Sequence, residues 1–334
     1  MKKRVLAVLL TAAMSFGLLA GCSQGTENSG TGGEGEASSE GGHIGMIFPA
    51  LSSEMMVVAA ETMEAAFTEA GYEVDTVSSD NDAAKEKQQL ETFTSMGVDK
   101  LLVFPMGATA GELGTSLQNV RDQGIEVYVM GNKVDDGCFD GELIVDNAQV
   151  GGVTAETAAR WIDETFPDAE DGSVKVGLVI TTDSPESKAQ SEALYQVEEL
   201  TSKAKVVEVY AQSFTDPNAN VQNNVEIMLE KHPDLRAILT YSEIQATTVN
   251  ETIMSHDEID KSQFGVFGSG ISSTSAEVVK ASAEDGSVMR GMVYYNDSMK
   301  TVDMMLGKLE LDEENKYYLQ GVPVTADNAD EYIE

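Results

Sequence analysis

Few residues of this chain have the types and spacing that chemistry needs. Gly268-Ser269-Gly270 follows a predicted strand and precedes a predicted helix, as the opening of a dinucleotide fingerprint does. Ser273 stands where the third glycine belongs. A helix start facing a cleft accounts for those glycines without a nucleotide. His43, His232 and His256 show no metal spacing, and Asp80-Asn81-Asp82 lacks the glycine and further ligands of a calcium loop. No nucleophile elbow joins the scattered serines to a base. Cys138 reads as a buried or loop thiol, and Trp161, beside Ala158 and Ile162 on one helix, reads as core. The chain is therefore expected to be no enzyme, with no catalytic group, metal or cofactor.

What remains is scaffold, and its first unit sets the pattern. Ile44, Met46, Ile47 and Phe48 make the short apolar run of a strand buried in a parallel sheet, and Pro49 ends it. Ser52 and Ser53 are N-cap residues. From Met55 to Ala70 the apolar residues recur at helical spacing until Gly71 stops the helix. A strand over 72–77 starts the unit again. Further helices are predicted over 82–96, 109–123, 150–166, 185–202, 217–231, 244–255, 273–284 and 298–309. Strands are predicted over 100–104, 125–130, 142–145, 174–181, 206–210, 236–241, 264–267 and 288–295, with a last extended piece over 317–324. Such alternation implies right-handed βαβ crossovers and parallel sheets covered on both faces. The strands are too many for one comfortable open sheet. The expected fold class is α/β, with two doubly wound parallel-sheet lobes, and in such folds ligands bind at the carboxyl ends of the strands.

Residues 1–21 read as an export signal. Lys2-Lys3-Arg4 is basic, and the apolar run from Val5 to Ala20 is short for a bilayer span. Leu19-Ala20-Gly21-Cys22 looks like the lipobox of bacterial lipoproteins, which implies a lipid on Cys22 and anchorage to a membrane. Residues 22–42 are rich in Gly, Ser and Glu and cannot bury a core. They form a tether spanning roughly 25 Å. A formal net charge of −36 argues against nucleic acid and against adhesion to anionic head groups. With Cys22 lipidated, Cys138 has no disulfide partner.

Several local motifs occur in one order across residues 43–328. They are Ser79-Asp80-Asn81-Asp82, Met96-Gly97-Val98-Asp99, Gln123-Gly124-Ile125, Val145-Asp146-Asn147 with Gly151-Gly152, and Lys231-His232-Pro233-Asp234 before Ala237-Ile238. In these the chain resembles the type I periplasmic solute-binding proteins of ABC importers, the branch typified by ribose-binding protein. DNA-binding repressors share that fold, but a signal and tether stand here in place of a helix-turn-helix. The resemblance implies a monomer whose chain crosses between lobes three times, near Asn147, Tyr295 and Gly321. Lobe one would be 43–146 plus 296–321 and lobe two 147–295 plus 322–334. It also implies a small-molecule ligand captured between the lobes by hinge closure and delivered to an ABC permease. A receptor of the same fold reporting to a chemoreceptor or sensor kinase is the alternative.

The pocket that the resemblance implies departs from the sugar binders. Ser53 lies in the loop after the first strand, with Met55 and Met56 where two aromatics are common. Phe104 replaces an asparagine, and Gly131-Asn132 an aspartate–arginine pair. Lys188 replaces an arginine, Phe214 matches an aromatic, and Ser242-Glu243 replaces Asn-Asp. Ser269 stands for an aspartate and Tyr294 for a glutamine. A slip of one or two residues would bring Lys133 and Asp135-Asp136 into play. Sugar recognition needs bidentate or charged groups on hydroxyls, and here rings and adaptable methionines remain instead. The expected ligand is a neutral solute, sugar or sugar-like, less polar than a free hexose.

Overall fold

The computed structural model describes residues 41–51, 54–106, 110–213, 220–295 and 297–333, with the backbone alone for Glu54 and Met55. Cys22, Ser53 and Phe214 lie outside the described residues, as do the expected signal and nearly all of the tether.

The first unit forms as its residues dictate. β1 (His43–Phe48) alternates Ile44, Met46 and Phe48 into one core cluster and Ile47 into another, so both faces of the strand are buried. α1 (Glu54–Glu69) lays Ala59, Ala60, Met63 and Phe67 on the first of these clusters. After β2 (Glu73–Ser78), α2 (Ala83–Met96) is capped by Asp82, which accepts from the Ala84 and Lys85 amides. Gly97 ends it in the left-handed region, at φ 70°.

β3 (Lys100–Val103), α3 (Gly114–Asp122), β4 (Glu126–Met130) and β5 (Gly141–Val145) follow. Then come α4 (Asn147–Thr165), β6 (Val174–Thr181), α5 (Pro185–Ala193), α6 (Val197–Leu200), β7 (Ala204–Gln212) and α7 (Val221–Lys231). β8 (Leu235–Thr240), α8 (Glu243–Met254), β9 (Gly265–Ser269), α9 (Ser273–Ala281), β10 (Met289–Tyr294), α10 (Ser298–Met305), β11 (Lys316–Leu319) and β12 (Val322–Val324) complete the order.

Two six-stranded sheets result, β11-β5-β4-β3-β1-β2 and β12-β10-β9-β8-β6-β7. Every pairing is parallel except β10 with β12. The chain passes between the sheets three times: from β5 into α4, from β10 into α10, which packs on α1, and from β11 to β12. At the first and third passages the Gln149 side chain brackets Gly321, accepting from its amide at 2.5 Å and donating to its carbonyl at 3.4 Å. A Cβ at Gly321 would sit 2.6 Å from Val293 Cγ1, so the close approach requires glycine.

Several elements differ from the sequence expectation: the helix expected over 273–284 ends at Ala281 and continues as a 3₁₀ turn, and the one expected over 298–309 ends at Met305. The helix expected over 109–123 is a 3₁₀ turn, Ala110–Glu112, and then α3, with Leu113 at the break and no side-chain cap. The helix expected over 185–202 is likewise interrupted by a 3₁₀ turn at Leu194–Gln196. The last extended piece is two short strands, one in each sheet, separated by Gln320-Gly321.

α4 approaches α5 closely at Gly151, where a Cβ would collide with the Gln190 carbonyl oxygen and lie 2.9 Å from the Ala193 Cβ. Gly151→Ala is therefore expected to cost about 1–3 kcal/mol through overpacking. Scanning calorimetry should show a melting temperature several degrees below wild type, and an unchanged value would contradict the close contact.

Candidate functional site

The carboxyl edge of the second sheet is built from a bonded set of buried side chains. Gln190, on α5, donates through Nε2 to the Tyr241 carbonyl at 2.8 Å and to Ser269 Oγ at 2.6 Å. Ser269 Oγ donates in turn to the same carbonyl at 2.6 Å. The Tyr241 amide donates to the Val179 carbonyl at 2.9 Å and to Gln245 Oε1 at 3.1 Å. Gln245 Nε2 reaches Thr181 Oγ1 at 3.2 Å. Gln190, Ser269, Gln245 and Thr181 are each no more than 2% exposed. Ser269, expected to face a ligand, is thus a brace between β8 and β9.

Ser242 is different. It is the extended N-cap of α8 but makes no capping bond, and its Oγ is shielded from solvent without a hydrogen-bond partner. Its neighbour Glu243 accepts from the Ser272 amide at 3.1 Å and the Ser272 hydroxyl at 2.5 Å, tying the start of α8 to the loop before α9. Tyr294, also expected at the pocket, packs against Tyr332 with ring centroids 5.0 Å apart, and its phenol is pushed up to about 12, chiefly by burial. Side chains alternate across the end of a strand, so the next residue, Tyr295, leaves on the side opposite Tyr294, and its charge acts on Tyr241. Burial raises both phenols above the ordinary tyrosine value. Spacing alone did not single out Tyr241. The alternation of β10 was the one signal that could have separated Tyr294 from Tyr295.

In the first sheet the loops after β1, β3 and β4 meet. Phe104 stacks on Phe48, with centroids 6.3 Å apart and planes at 17°. The ring lies where a side chain on residue 131 would be: a Cβ at Gly131 would fall 2.6 Å from Phe104 Cζ, and Gly131 itself has φ 88°. The phenylalanine after β3 and the glycine after β4 are therefore one exchange of volume. Met56 packs half-buried against the same cluster as Phe104. Asn132 Nδ2 donates to the Pro105 carbonyl at 2.8 Å, joining the two loops. Glu86, wholly buried in α2, accepts from the Met106 amide at 3.1 Å, and Ser79 Oγ reaches the Phe48 and Pro49 carbonyls at 3.2 Å.

This arrangement of two six-stranded sheets with triple passage of the chain has counterparts of known structure. Residues 44–302 match the family described as the periplasmic binding protein domain. The chain belongs to that family. A sugar ABC transporter structure from Actinomyces odontolyticus ATCC 17982 superposes with a TM-score of 0.70 at 17% identity, covering 89% of this chain and 100% of the other. A periplasmic ribose ABC transporter from Conexibacter woesei DSM 14684 gives 0.69 at 17% identity, covering 88% and 95%. A 5-methylthioribose transporter solute-binding protein from Thermotoga lettingae TMO, in complex with 5-methylthioribose, gives 0.64 at 14% identity, covering 88% of each. Comparison with curated protein sequences finds no match. The fold is that of type I periplasmic binding proteins, a family of solute receptors rather than enzymes, and membership implies a place outside the cytoplasm. Among the described residues no helix is long and apolar enough to cross a membrane.

Within this periplasmic binding protein the remaining candidates are dispersed. Lys188 is exposed on α5 and faces Glu192 at 3.6 Å, an i,i+4 pair that holds it along its own helix. Cys138 is buried, donates to the Asp135 carbonyl at 2.9 Å, and has its thiol pushed up to about 11 by burial, the opposite of what a nucleophile needs. Each histidine faces a carboxylate: His43 with Asp75, His232 with Glu208, and His256 with Glu226 and Glu258.

Glu142 anchors the loop that carries Asn132. Its Oε1 accepts from the Val134 amide at 3.3 Å, while Oε2 is buried without a partner. Lys316 lies opposite in register but binds Asp136 and Glu314, each at 2.7 Å. Burial dominates and raises the Glu142 carboxyl above its ordinary value of 4.5. A raised native value means that the folded state keeps this proton longer than the unfolded chain. Its contribution is fully present below about pH 4.5 and declines as pH rises through the native value. Glu142→Gln keeps an acceptor for Val134 and removes the buried charge, so it should melt above wild type at pH 7. The gap should close by pH 4.5; one that persists unchanged in acid would contradict this account.

Proposed function

We propose that this chain is a lipid-anchored receptor that captures a small neutral, sugar-like solute between its two lobes and delivers it to an ABC permease. Family membership supports the receptor role, and the chemistry of the carboxyl edges supports the ligand class. The observation that carries the reading is how the polar groups there are used. Gln190, Ser269, Gln245 and Asn132 are engaged in bonds within the protein, whereas the half-buried Phe104 offers ring surface and Ser242 a hydroxyl without a partner. A free hexose would lose water at several hydroxyls and regain few bonds, at about 1–3 kcal/mol for each group left unpaired. A solute with an apolar face or substituent loses little and gains contact with the rings. Solved relatives of this fold include one bound to D-allose and one to 5-methylthioribose. The scaffold thus admits both kinds of solute, and the walls decide between them. Closure is proposed to turn on the segments at Asn147, Tyr295 and Gly321, through which the chain passes between the sheets.

Titration calorimetry on ligand-stripped protein tests the ligand class. A glycoside, nucleoside or deoxy sugar with an apolar face should bind at least a hundredfold more tightly than D-ribose or D-glucose, since two or three unpaired groups amount to that factor. Sub-micromolar binding of either plain sugar would refute it. Ser242→Ala should weaken the tight ligand by about two- to tenfold, the net worth of one hydrogen bond.

Anchorage rests on the Leu19-Ala20-Gly21-Cys22 motif and the polar segment behind it. Cys22→Ser should shift the protein from the membrane fraction to the soluble fraction, or leave its precursor unprocessed. An unmodified Cys22 found by mass spectrometry on cell-derived protein would rule the anchor out.

A further inference from the structure

We infer that Phe104 and Gly131 act as one specificity-determining pair in the first sheet's half of the site: the ring, lodged in the room the glycine leaves, takes the apolar face or substituent of the solute. This deepens the solute-receptor reading above and rests on it.

Strand order says where a solute meets this sheet. From β1 the chain steps outward to β2 on one side, and from β3 it steps through β4 to β5 on the other, so the order reverses between β1 and β3. In open α/β sheets ligands bind outside the carboxyl ends of the strands at that reversal. Phe48 is the last residue of β1 and Phe104 the first beyond β3, so their rings flank it. The Phe104 amide donates to the Ile47 carbonyl at 2.9 Å, which ties its backbone to β1. Pro105 and Met106 are held in turn, the carbonyl by Asn132 Nδ2 at 2.8 Å and the amide by the buried Glu86 carboxylate at 3.1 Å.

The ring itself is placed by two landmarks. Phe48 stacks with it, near-parallel at 17° between planes. Its outer end reaches across the end of β4, where Cζ, Cε1 and Cε2 lie 2.6, 2.8 and 3.1 Å from the position a Cβ on residue 131 would take. Leu51, Met56 and Met130 belong to the same apolar cluster, and the ring is only half-buried among them. What stays open at the strand reversal is therefore aromatic surface, which presents no hydrogen-bonding atom. An apolar face or substituent gains contact there, whereas hydroxyls turned toward it would lose water without a partner. The arrangement needs glycine at 131 twice over. Any side chain would collide with the ring, and φ 88° strains every other residue.

Titration calorimetry on full-length protein tests the pair with D-ribose, methyl β-D-ribofuranoside, D-glucose and phenyl β-D-glucopyranoside. The readout is the ratio of glycoside to parent-sugar affinity. Phe104→Ala should weaken the tighter-binding glycoside by about tenfold or more and its parent sugar by less than about threefold. Phe104→Leu keeps apolar bulk without a ring and should lower the ratio by at least about threefold; it carries the test where Phe104→Ala does not fold. Gly131→Ala, which drives the ring from its seat, should lower the ratio severalfold in the wild-type background and hardly at all beside Phe104→Ala. General destabilisation would not depend on the background in that way. A wild-type ratio retained in Phe104→Ala, or in Phe104→Leu where the alanine variant does not fold, would overturn the assignment and leave the receptor reading intact. Gly131→Ala effects of equal size in both backgrounds would overturn the pairing. Wild-type protein that binds none of the four would overturn the sugar-like reading and this assignment with it.

Discussion

The Gln190 carboxamide is where three elements of the second sheet's carboxyl edge are tied together. Its two N–H bonds join α5 to the ends of β8 and β9, and they form only because α4 presents a glycine, Gly151, to the Gln190 backbone. Close helix packing on one face of the sheet thus determines which atoms are presented at its edge. A larger residue at 151 would move α5 outward, and the carbonyl of Tyr241 would lose one of its two donors. The site is downstream of the packing.

The first sheet solves the same problem with volume rather than hydrogen bonds. Phe104 can lie across the end of β4 because Gly131 has no side chain, and Phe48 supplies a second ring beneath it. Loops that would otherwise be mobile are then tied by Asn132 to Pro105 and by Glu86 to Met106. At Ser269 and Asn132, both expected to meet a ligand, the side chains are bonded within the protein and brace the ends of neighbouring strands and loops.

Most of the architecture was legible because its signals are local. Alternating burial in β1, the Asp82 cap and the Gly97 stop each lie within a few residues of the structure they determine. The breaks at Leu113 and at Leu194–Gln196 were not legible, since the helical spacing of apolar residues continues through both. Pocket residues were the least readable. Whether Tyr294 or Tyr295 faces the cleft depends on one residue of strand phase, and the Tyr332 ring that takes up Tyr294 comes from the far end of the chain. The bracing role of Ser269 likewise depends on Gln190 and Tyr241, remote in sequence and brought near only by the sheet.

The Gln149 bracket on Gly321 has a mechanical consequence. Three chain passages join the two sheets, but this side chain clasps two of them together, so they behave as one attachment. The segment after Tyr295 is then the second. Two attachments define a line, and a body held along a line keeps one easy rotation while twisting and sliding are resisted. Under the closure proposed above, the rims of the two sheets would meet in the same alignment each time, like a door on two pins. Loosening the clasp would leave the strength of the joint largely intact and degrade its repeatability.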